Sequence, residues 1–492
     1  MSAADADTRV AAILRGPGGP HVAAFFDFDG TLIDGYSATA FLRRPGLPPH
    51  RLLGALARVG PLPIARSLAA AARREPSDAD VRRAYETALR VWRGGSEEEL
   101  ARHAERVFAE HLAARLRPEA WSLVQAHRLS GHTVVIVTAA ARWQVAPMAA
   151  RLCVEHVLCG EPETAGGRIT GALRGPILRG CAKARAVLEF ALEHDIDLAA
   201  SHAYADAADD ISFLTATGNP CAISPRGALT AAARERGWDV LGLERRPAFD
   251  PVTAVRSAAA WNGVLAGVSA GLGLAAFGMD RRAAGELGTA LASRACLDLA
   301  GVRVRLQGRA HLAARPAVFL FNHQSWLDVA VLARLLGRDY TGFAKAELSR
   351  VPGLARFGRL LDVVFVDRSA VDASDSFRTA LELLSRGVSL ALAPEGTRSA
   401  TPTPGPFRKG AFLLARKAGV PVVPVVIRNS GRLMPRTTKT VRAGRIDVVV
   451  HPPVDVAAWR IAEFGDRIED IRRLYIDTLT TGRAGESVGA AR

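Results

Sequence analysis

Two carboxylates stand two residues apart in Asp27-Phe28-Asp29-Gly30-Thr31, directly after the short apolar run His21–Phe26. Where a buried strand has just ended, both can be aimed into one cleft. One carboxylate can then attack phosphorus and the other can protonate the leaving oxygen. Gly30 permits the sharp turn between them. Further acids, Asp206 and Asp210, follow a second short apolar run. A hard cation such as Mg²⁺ is bound by such oxygens and screens the repulsion between a carboxylate nucleophile and a phosphate. Thr138 ends another run and can donate to a phosphoryl oxygen, while Lys183 can neutralise charge developing on it. The chain has only five lysines, at 183, 345, 409, 417 and 439. Where arginine fills almost every other basic position, a retained lysine marks a site suited to a compact ammonium.

A second constellation begins at Asn322-His323-Gln324-Ser325-Trp326-Leu327-Asp328. On one helix, residues five apart are separated by about 500°, so His323 and Asp328 meet only if the histidine lies in the turn before a helix and the aspartate in its first turns. A histidine oriented by a carboxylate is a general base able to deprotonate an alcohol. No serine or cysteine nucleophile stands in a recognisable elbow nearby, which leaves the substrate's own hydroxyl as nucleophile. Pro394-Glu395-Gly396-Thr397-Arg398-Ser399 adds a glycine for close backbone approach, a guanidinium fork and flanking hydroxyls. Val366-Asp367-Arg368 and Phe407-Arg408-Lys409-Gly410 add further cations, the latter at a helix entry that favours anions. A base beside an anion cradle describes transfer onto a hydroxyl of a phosphorylated acceptor.

The order Asp-x-Asp-x-Thr, Thr138, Lys183, Asp206-x-x-x-Asp210 resembles the haloacid dehalogenase-like hydrolases, in the subgroup that looks like phosphoserine phosphatase, over about residues 20–240. The resemblance implies that Asp27 is the nucleophile and Asp29 the general acid/base. It also implies that Asp27, the Asp29 carbonyl and Asp206 hold Mg²⁺ with support from Asp210, and that Thr138 and Lys183 bind phosphate. Relatives often carry serines where Ala205 and Ala207 stand, and phosphoserine-specific ones glycines where Ala139 and Ala140 stand. The resemblance therefore implies phosphatase chemistry without fixing phosphoserine as its substrate.

His323-x4-Asp328, Asp367-Arg368, Pro394–Ser399 and Val420-Pro421-Val422-Val423-Pro424 together resemble the glycerolipid acyltransferases, most closely the 1-acylglycerol-3-phosphate acyltransferases, over roughly residues 295–480. That resemblance implies His323 as base, Asp328 as its orienter, and Glu395, Gly396, Thr397, Arg398 and Arg368 as the cradle for glycerol phosphate, with Lys345 nearby. It implies acyl-CoA or acyl carrier protein as donor, a lysophospholipid as acceptor and work at the cytoplasmic face of a membrane. The expectation is an enzyme making phosphatidic acid and hydrolysing a phosphomonoester. The alternatives are a regulatory, non-catalytic N-terminal domain or a different lysophospholipid acceptor.

These residues must be positioned by alternating strands and helices: strands at His21–Phe26, Thr133–Val137, His202–Tyr204, Ala317–Phe321, Val363–Val366, Ser389–Leu392 and Val422–Ile427, with helices between. That alternation predicts two α/β domains on parallel sheets, whose ligands sit at the carboxyl ends of the strands. The resemblance implies that the first is a Rossmann-like core with a helical cap over about 41–124. Residues 1–20 read as a mobile arm, 241–294 as a linker and 483–492 as a tail, with the acyltransferase domain over 295–482. No signal peptide is legible.

At 492 residues, 49% hydrophobic and 23% charged, the composition is that of a globular chain and excludes a mostly disordered or collagen-like one. Five scattered cysteines form no metal or disulfide framework. Residues 301–492 hold 30 basic and 17 acidic side chains, +13 of the net +15. Such a surplus favours an anionic partner, here an anionic membrane surface. No basic stripe interleaved with aromatics suggests nucleic acid. Ser257–Met279 is a 23-residue stretch without charge, rich in Ala and Gly. It is long enough to span a bilayer and reads as a membrane-embedded or interfacial helix, with a buried soluble helix as the alternative.

Overall fold

In the computed structural model, residues 3–43, 77–243, 250–366 and 374–482 are described. The chain divides into two compact units, Met1–Arg246 and Pro247–Arg492.

The N-terminal unit is built on a seven-stranded sheet with the order β4-β3-β2-β1-β5-β6-β7. Its strands are β1 Ala23–Phe26, β2 Thr133–Ala141, β3 His156–Ala165, β4 Arg168–Arg174, β5 His202–Ala205, β6 Asn219–Ile223 and β7 Asp239–Leu241. Pairing is parallel except between β3 and β4. β1 is Ala-Ala-Phe-Phe with every residue buried, as a strand covered on both faces requires. Phe25 joins Val135, Val137, Ala203, Phe213 and Leu214 in one core. Because β1, β2 and β5 run the same way, Asp27, Thr138 and Asp206 all fall at or just beyond one edge of the sheet.

Two boundaries differ from the sequence expectation. The arm 1–20 contains a helix, Ala3–Arg15, with Ala6, Val10 and Ile13 buried. Apolar residues at that spacing share one helix face, which is covered by the helix Pro118–Leu129. That second helix belongs to the core and not to the cap: Trp121, Leu123 and Val124 are buried and it packs on β2. The described part of the cap consists of Ala38–Arg43, Asp78–Val91, Glu97–Val107 and the turns to Arg115, and the segment 44–76 lies outside the described residues. The β3–β4 hairpin, unforeseen from the sequence, meets the cap through contacts of β4 with Asp78–Val91.

The C-terminal unit has a second seven-stranded sheet, β11-β10-β12-β9-β13-β14-β8. Its strands are β8 Val302–Gln307, β9 Val318–Phe321, β10 Tyr340–Lys345, β11 Val364–Val366, β12 Ser389–Leu392, β13 Val422–Arg428 and β14 Gly444–Val450. β9 through β13 are mutually parallel and β14 runs antiparallel to β13. The strands β9, β10, β11 and β12 therefore end at a common edge. Residues 367–373, with Asp367 and Arg368, and the tail 483–492 lie outside the described residues.

The expected linker is instead part of this unit. After residues 244–249, which lie outside the described residues, Pro251–Ala276 and Arg281–Leu299 form an antiparallel helical hairpin. Glycine makes the close approach possible: a Cβ on Gly267 would lie 2.4 Å from the backbone nitrogen of Ala292. Ala260, Gly267 and Gly271 are buried, while Val255, Leu265 and Phe277 are exposed. Only 17% of the apolar window of Pro251–Ala276 is buried, and the helix is long and apolar enough to cross a membrane.

Gly267→Val is expected to force the hairpin apart at a cost of about 1–3 kcal/mol, lowering the unit's melting temperature by several degrees. Gly273→Val, on the same helix with no atom within 4 Å of its Cβ position, is the control and is expected to shift the melt much less.

Candidate active sites

In the N-terminal unit, the turn after β1 presents Asp27 and Asp29 toward the ends of β2 and β5. Lys183, from the helix Gly180–Glu193, places its Nζ 2.8 Å from Asp27 Oδ1 and 2.8 Å from Asp210 Oδ1. All three side chains are buried. Thr31 Oγ1 lies 3.4 Å from both Asp27 Oδ2 and Asp206 Oδ1. Gly30 has a φ of +83°, and a Cβ there would fall 2.2 Å from Asp206 Oδ2. Glycine is thus needed twice, for the backbone conformation and for the space that Asp206 occupies. Asp29 is held by Ser37, whose N–H donates to Oδ1 at 2.7 Å and whose hydroxyl donates to Oδ2 at 3.1 Å. β2 continues past Val137, where the sequence reading ended it, so Thr138 is buried within the strand, at the register shift between Val137 and Ala141, and its hydroxyl oxygen accepts the Ala140 N–H at 3.0 Å.

The carboxylates carry more negative charge than one lysine compensates. Burial raises the pKa of Asp29 to about 7 against the pull of Ser37, with the charges of Asp27 and Asp206 adding to the rise. Burial also raises Asp206 and Asp210 to about 6 each. Asp27 is raised by burial despite Lys183. Burial opposes the Lys183 ammonium, yet Asp27 and Asp210 together lift its pKa above the ordinary lysine value. Crowded oxygens that hold protons this tightly are a hard-cation donor set, and Asp27, Asp206 and the turn at Asp29 fit one.

In the C-terminal unit, β9 ends at Phe321 and the helix Leu327–Leu336 begins six residues on. His323 sits in the intervening turn, and its Nδ1 lies 2.9 Å from Asp328 Oδ2. The same Asp328 oxygen accepts the N–H groups of Gln324 and Ser325, each at 2.8 Å. A carboxylate oxygen can only accept, so Nδ1 carries the proton and Nε2 keeps the lone pair of a base. Asn322 ties the turn to β13, accepting the Ile427 N–H at 2.8 Å and donating to the Ile427 carbonyl at 2.9 Å.

The turn after β12 lies against this one. Arg398 extends over the exposed Trp326, with 5.2 Å between the guanidinium carbon and the indole centroid, and donates to the Arg436 carbonyl. Burial lowers its pKa, as does the neighbouring Arg436. Arg408 lies over Gly396, where an added Cβ would meet its Nε at 2.9 Å. Thr397 is exposed, and so is Lys345 at the end of β10, paired in register with Val366. Glu395 was expected in the phosphate cradle. It is 6% exposed, with both oxygens taken by groups of the chain: the His323 N–H on Oε1, and the Gly405 N–H and Ser399 hydroxyl on Oε2. Ser37, Asn322, Trp326 and Gly405 were given no role by the sequence reading. Each acts across a fold contact or, like Trp326, inside a motif whose other members attracted the assignment.

A further cluster, His127, His132 and His202, was also unforeseen, with one ring nitrogen from each within 4.8 Å of the others. His132 Nε2 must donate to the Pro17 carbonyl at 2.7 Å, so its Nδ1 accepts from His127 Nδ1 at 2.8 Å. His127 Nε2 then accepts from the Tyr204 hydroxyl at 2.8 Å. This closed chain of neutral groups ties the segment before β1 to the core. Burial keeps all three rings neutral, with His202 lowered to about 4, and Arg9, 3.4 Å from His202 Nδ1, opposes a further cation.

Residues 24–215 match the family model described as haloacid dehalogenase-like hydrolase, and residues 303–428 the one described as acyltransferase. The phosphoserine phosphatase SerB1 of Mycobacterium tuberculosis is 32% identical over 249 residues, covering 50% of this chain and 80% of that protein. A 1-acyl-sn-glycerol-3-phosphate acyltransferase of Saccharomyces cerevisiae is 35% identical over 183 residues, covering 36% of this chain and 60% of the yeast protein. The chain thus spans less than two thirds of that acyltransferase's length. A crystal structure of the 1-acyl-sn-glycerophosphate acyltransferase PlsC from Thermotoga maritima aligns over 48% of this chain and 97% of that one, at 25% identity and a TM-score of 0.41.

Removing the cation from the buried Asp27–Lys183–Asp210 group leaves two carboxylates uncompensated. Lys183→Met is expected to destabilise the N-terminal unit by about 3–5 kcal/mol, read as a lower urea midpoint for that unit at neutral pH. An unchanged midpoint would mean that the aspartates are held by protons and not by the ammonium.

Proposed function

The chain belongs to the haloacid dehalogenase-like hydrolases through its N-terminal unit and carries an acyltransferase domain in its C-terminal unit, and from this premise we propose a bifunctional lipid enzyme that acylates 1-acylglycerol-3-phosphate to phosphatidic acid and hydrolyses a phosphomonoester. Both domains are of enzyme families, one transferring acyl groups and one hydrolysing. The observation that carries the acyl-transfer reading is the His323–Asp328 pair, 2.9 Å apart, in a turn facing an arginine-bearing loop.

On this reading the acceptor's phosphate is held by Arg398, with Lys345 and Arg368 contributing, and the free hydroxyl approaches His323 Nε2. His323 takes the hydroxyl proton as that oxygen attacks the thioester carbonyl of acyl-CoA or acyl-acyl carrier protein. The new C–O bond forms, the C–S bond breaks, and the departing thiolate takes the proton back from His323. Asp328 keeps the ring oriented and balances the imidazolium that forms in between. Exposed Leu265 and Phe277 on the hairpin and the basic surplus of the C-terminal residues support work at an anionic membrane surface.

In the N-terminal unit Asp27 attacks phosphorus to give an aspartyl-phosphate, while Asp29 donates its proton to the leaving oxygen and then deprotonates the water that frees phosphate. A pKa of about 7 suits a group that must act as acid and base in turn. Lys183 and Thr138 hold the phosphoryl oxygens. Mg²⁺ on Asp27, Asp206 and the Asp29 carbonyl, with Asp210 in support, would supply charge neutralisation for the phosphoryl group.

Two measurements test this reading. The full chain in detergent micelles, given Mg²⁺, lysophosphatidate and labelled acyl-CoA, is expected to form labelled phosphatidate. His323→Ala is expected to abolish that product while phosphomonoester hydrolysis persists, and Asp27→Asn to do the reverse. Acylation by His323→Ala at the parent rate would sink the acyl-transfer assignment. The second measurement concerns the cation. Asp29, Asp206 and Asp210 bind protons more tightly in the folded chain than their ordinary 3.8, so without a cation they favour folding at low pH and this contribution fades as pH rises through about 6–7. Mg²⁺ binds the ionised forms, so its increment in melting temperature is expected to be larger at pH 7.5 than at pH 5.5. An increment independent of pH would separate the cation from these carboxylates.

A further inference from the structure

The turn after β12 touches His323 at both of its backbone polar groups. Glu395 Oε1 accepts the His323 N–H at 3.0 Å, and the Ser399 N–H donates to the His323 carbonyl at 2.7 Å. Glu395 Oε2 accepts the Gly405 N–H at 2.8 Å and the Ser399 hydroxyl, so the carboxylate also fixes the turn that carries the second contact. Burial raises the pKa of Glu395, while these hydrogen bonds and the nearby His323 ring pull it down.

We propose that Glu395 is a positioning residue, clamping the His323 backbone so that the ring meets Asp328, and that it makes no contact with the acceptor's phosphate. This rests on the acyl-transfer reading above. The chemistry of the donor set argues for it. Three donors converge on the side chain, and a carboxylate accepts them all, whereas an amide presents N–H groups to at least one of them. A carboxylate turned toward a phosphate would repel it, and burial between two turns keeps the charge away from that ligand. The remaining restraints on His323 act elsewhere: Asp328 orients its ring, and Asn322 fixes the residue before it. The clamp therefore sets where the ring starts, and Asp328 sets which way it faces. A base displaced by about 1 Å loses on the order of 10²-fold in rate.

The test uses the full chain in detergent micelles with lysophosphatidate and acyl-CoA, comparing the parent with Glu395→Gln and Ser399→Ala. Glu395→Gln is expected to lower kcat by about 10²-fold while the KM for lysophosphatidate stays within about twofold of the parent. Ser399→Ala, which removes one donor and leaves the carboxylate, is expected to show the same split with a smaller fall. A KM raised about tenfold or more with kcat retained, in either variant, would make Glu395 or its turn a phosphate ligand and overturn the proposal. Hydrogen exchange of a peptide spanning His323 supplies a readout independent of turnover. It is expected to speed up in Glu395→Gln, and unchanged protection would also overturn the clamp. If the parent chain makes no phosphatidate, the acyl-transfer reading fails, and exchange alone still decides whether Glu395 holds His323.

Discussion

A strand buried on both faces cannot carry charge along its length, because each unpaired ion in the interior costs several kcal/mol. Both units obey this constraint in the same way. β1 is Ala-Ala-Phe-Phe and β9 is Val-Phe-Leu-Phe, every residue buried, and the first candidate site residues, Asp27 and His323, stand one and two positions past the last phenylalanine. Since the central strands of each sheet are parallel, their ends collect at one edge, and side chains far apart in sequence become neighbours there. Lys183 reaches Asp27 across 156 residues, and Glu395 reaches His323 across 72.

The two sites then solve opposite electrostatic problems. In the N-terminal unit, four carboxylates are brought close and one ammonium is buried among them. The lysine is shared between Asp27 and Asp210, while Asp29 and Asp206 are held by hydroxyl and amide donors. Burial, with the crowded negative charge adding to it, raises these groups toward neutral pH, and that surplus charge is what a divalent cation would meet. In the C-terminal unit one oxygen of Asp328 accepts two backbone N–H groups as well as the ring, and Glu395, the other buried carboxylate beside His323, is likewise held by donors of the chain.

The hairpin of the C-terminal unit follows from the same economy of size and polarity. Gly263, Gly267, Gly271 and Gly288 occupy the face where two helices touch, while larger apolar side chains such as Leu265 and Phe277 point outward. In water that arrangement exposes Leu265 and Phe277 without a covering layer. Against lipid it presents the residues whose transfer is favourable and hides the glycine backbone from hydrocarbon.

Much of this was legible in the sequence. Short apolar runs ending in Asp27, Thr138, Asn322 and Pro394 announce buried strands with chemistry at their ends, because strand burial and the placement of charge are local properties of composition. The requirement that His323 precede a helix containing Asp328 follows from helical geometry alone. What the sequence left open depends on contacts between distant segments. The helix Ala3–Arg15 was hidden because its apolar face is narrow and becomes a face only against Pro118–Leu129. The charge-free stretch 257–279 was readable as a helix, but its antiparallel partner Arg281–Leu299 was hidden, because the pairing depends on glycines whose missing side chains count only once a second helix approaches. Glu395 lies in a motif that suggests a ligand for phosphate, yet the direction of a carboxylate is set by where its donors are. Those donors, at His323, Ser399 and Gly405, are brought together only when β9 and β12 lie side by side.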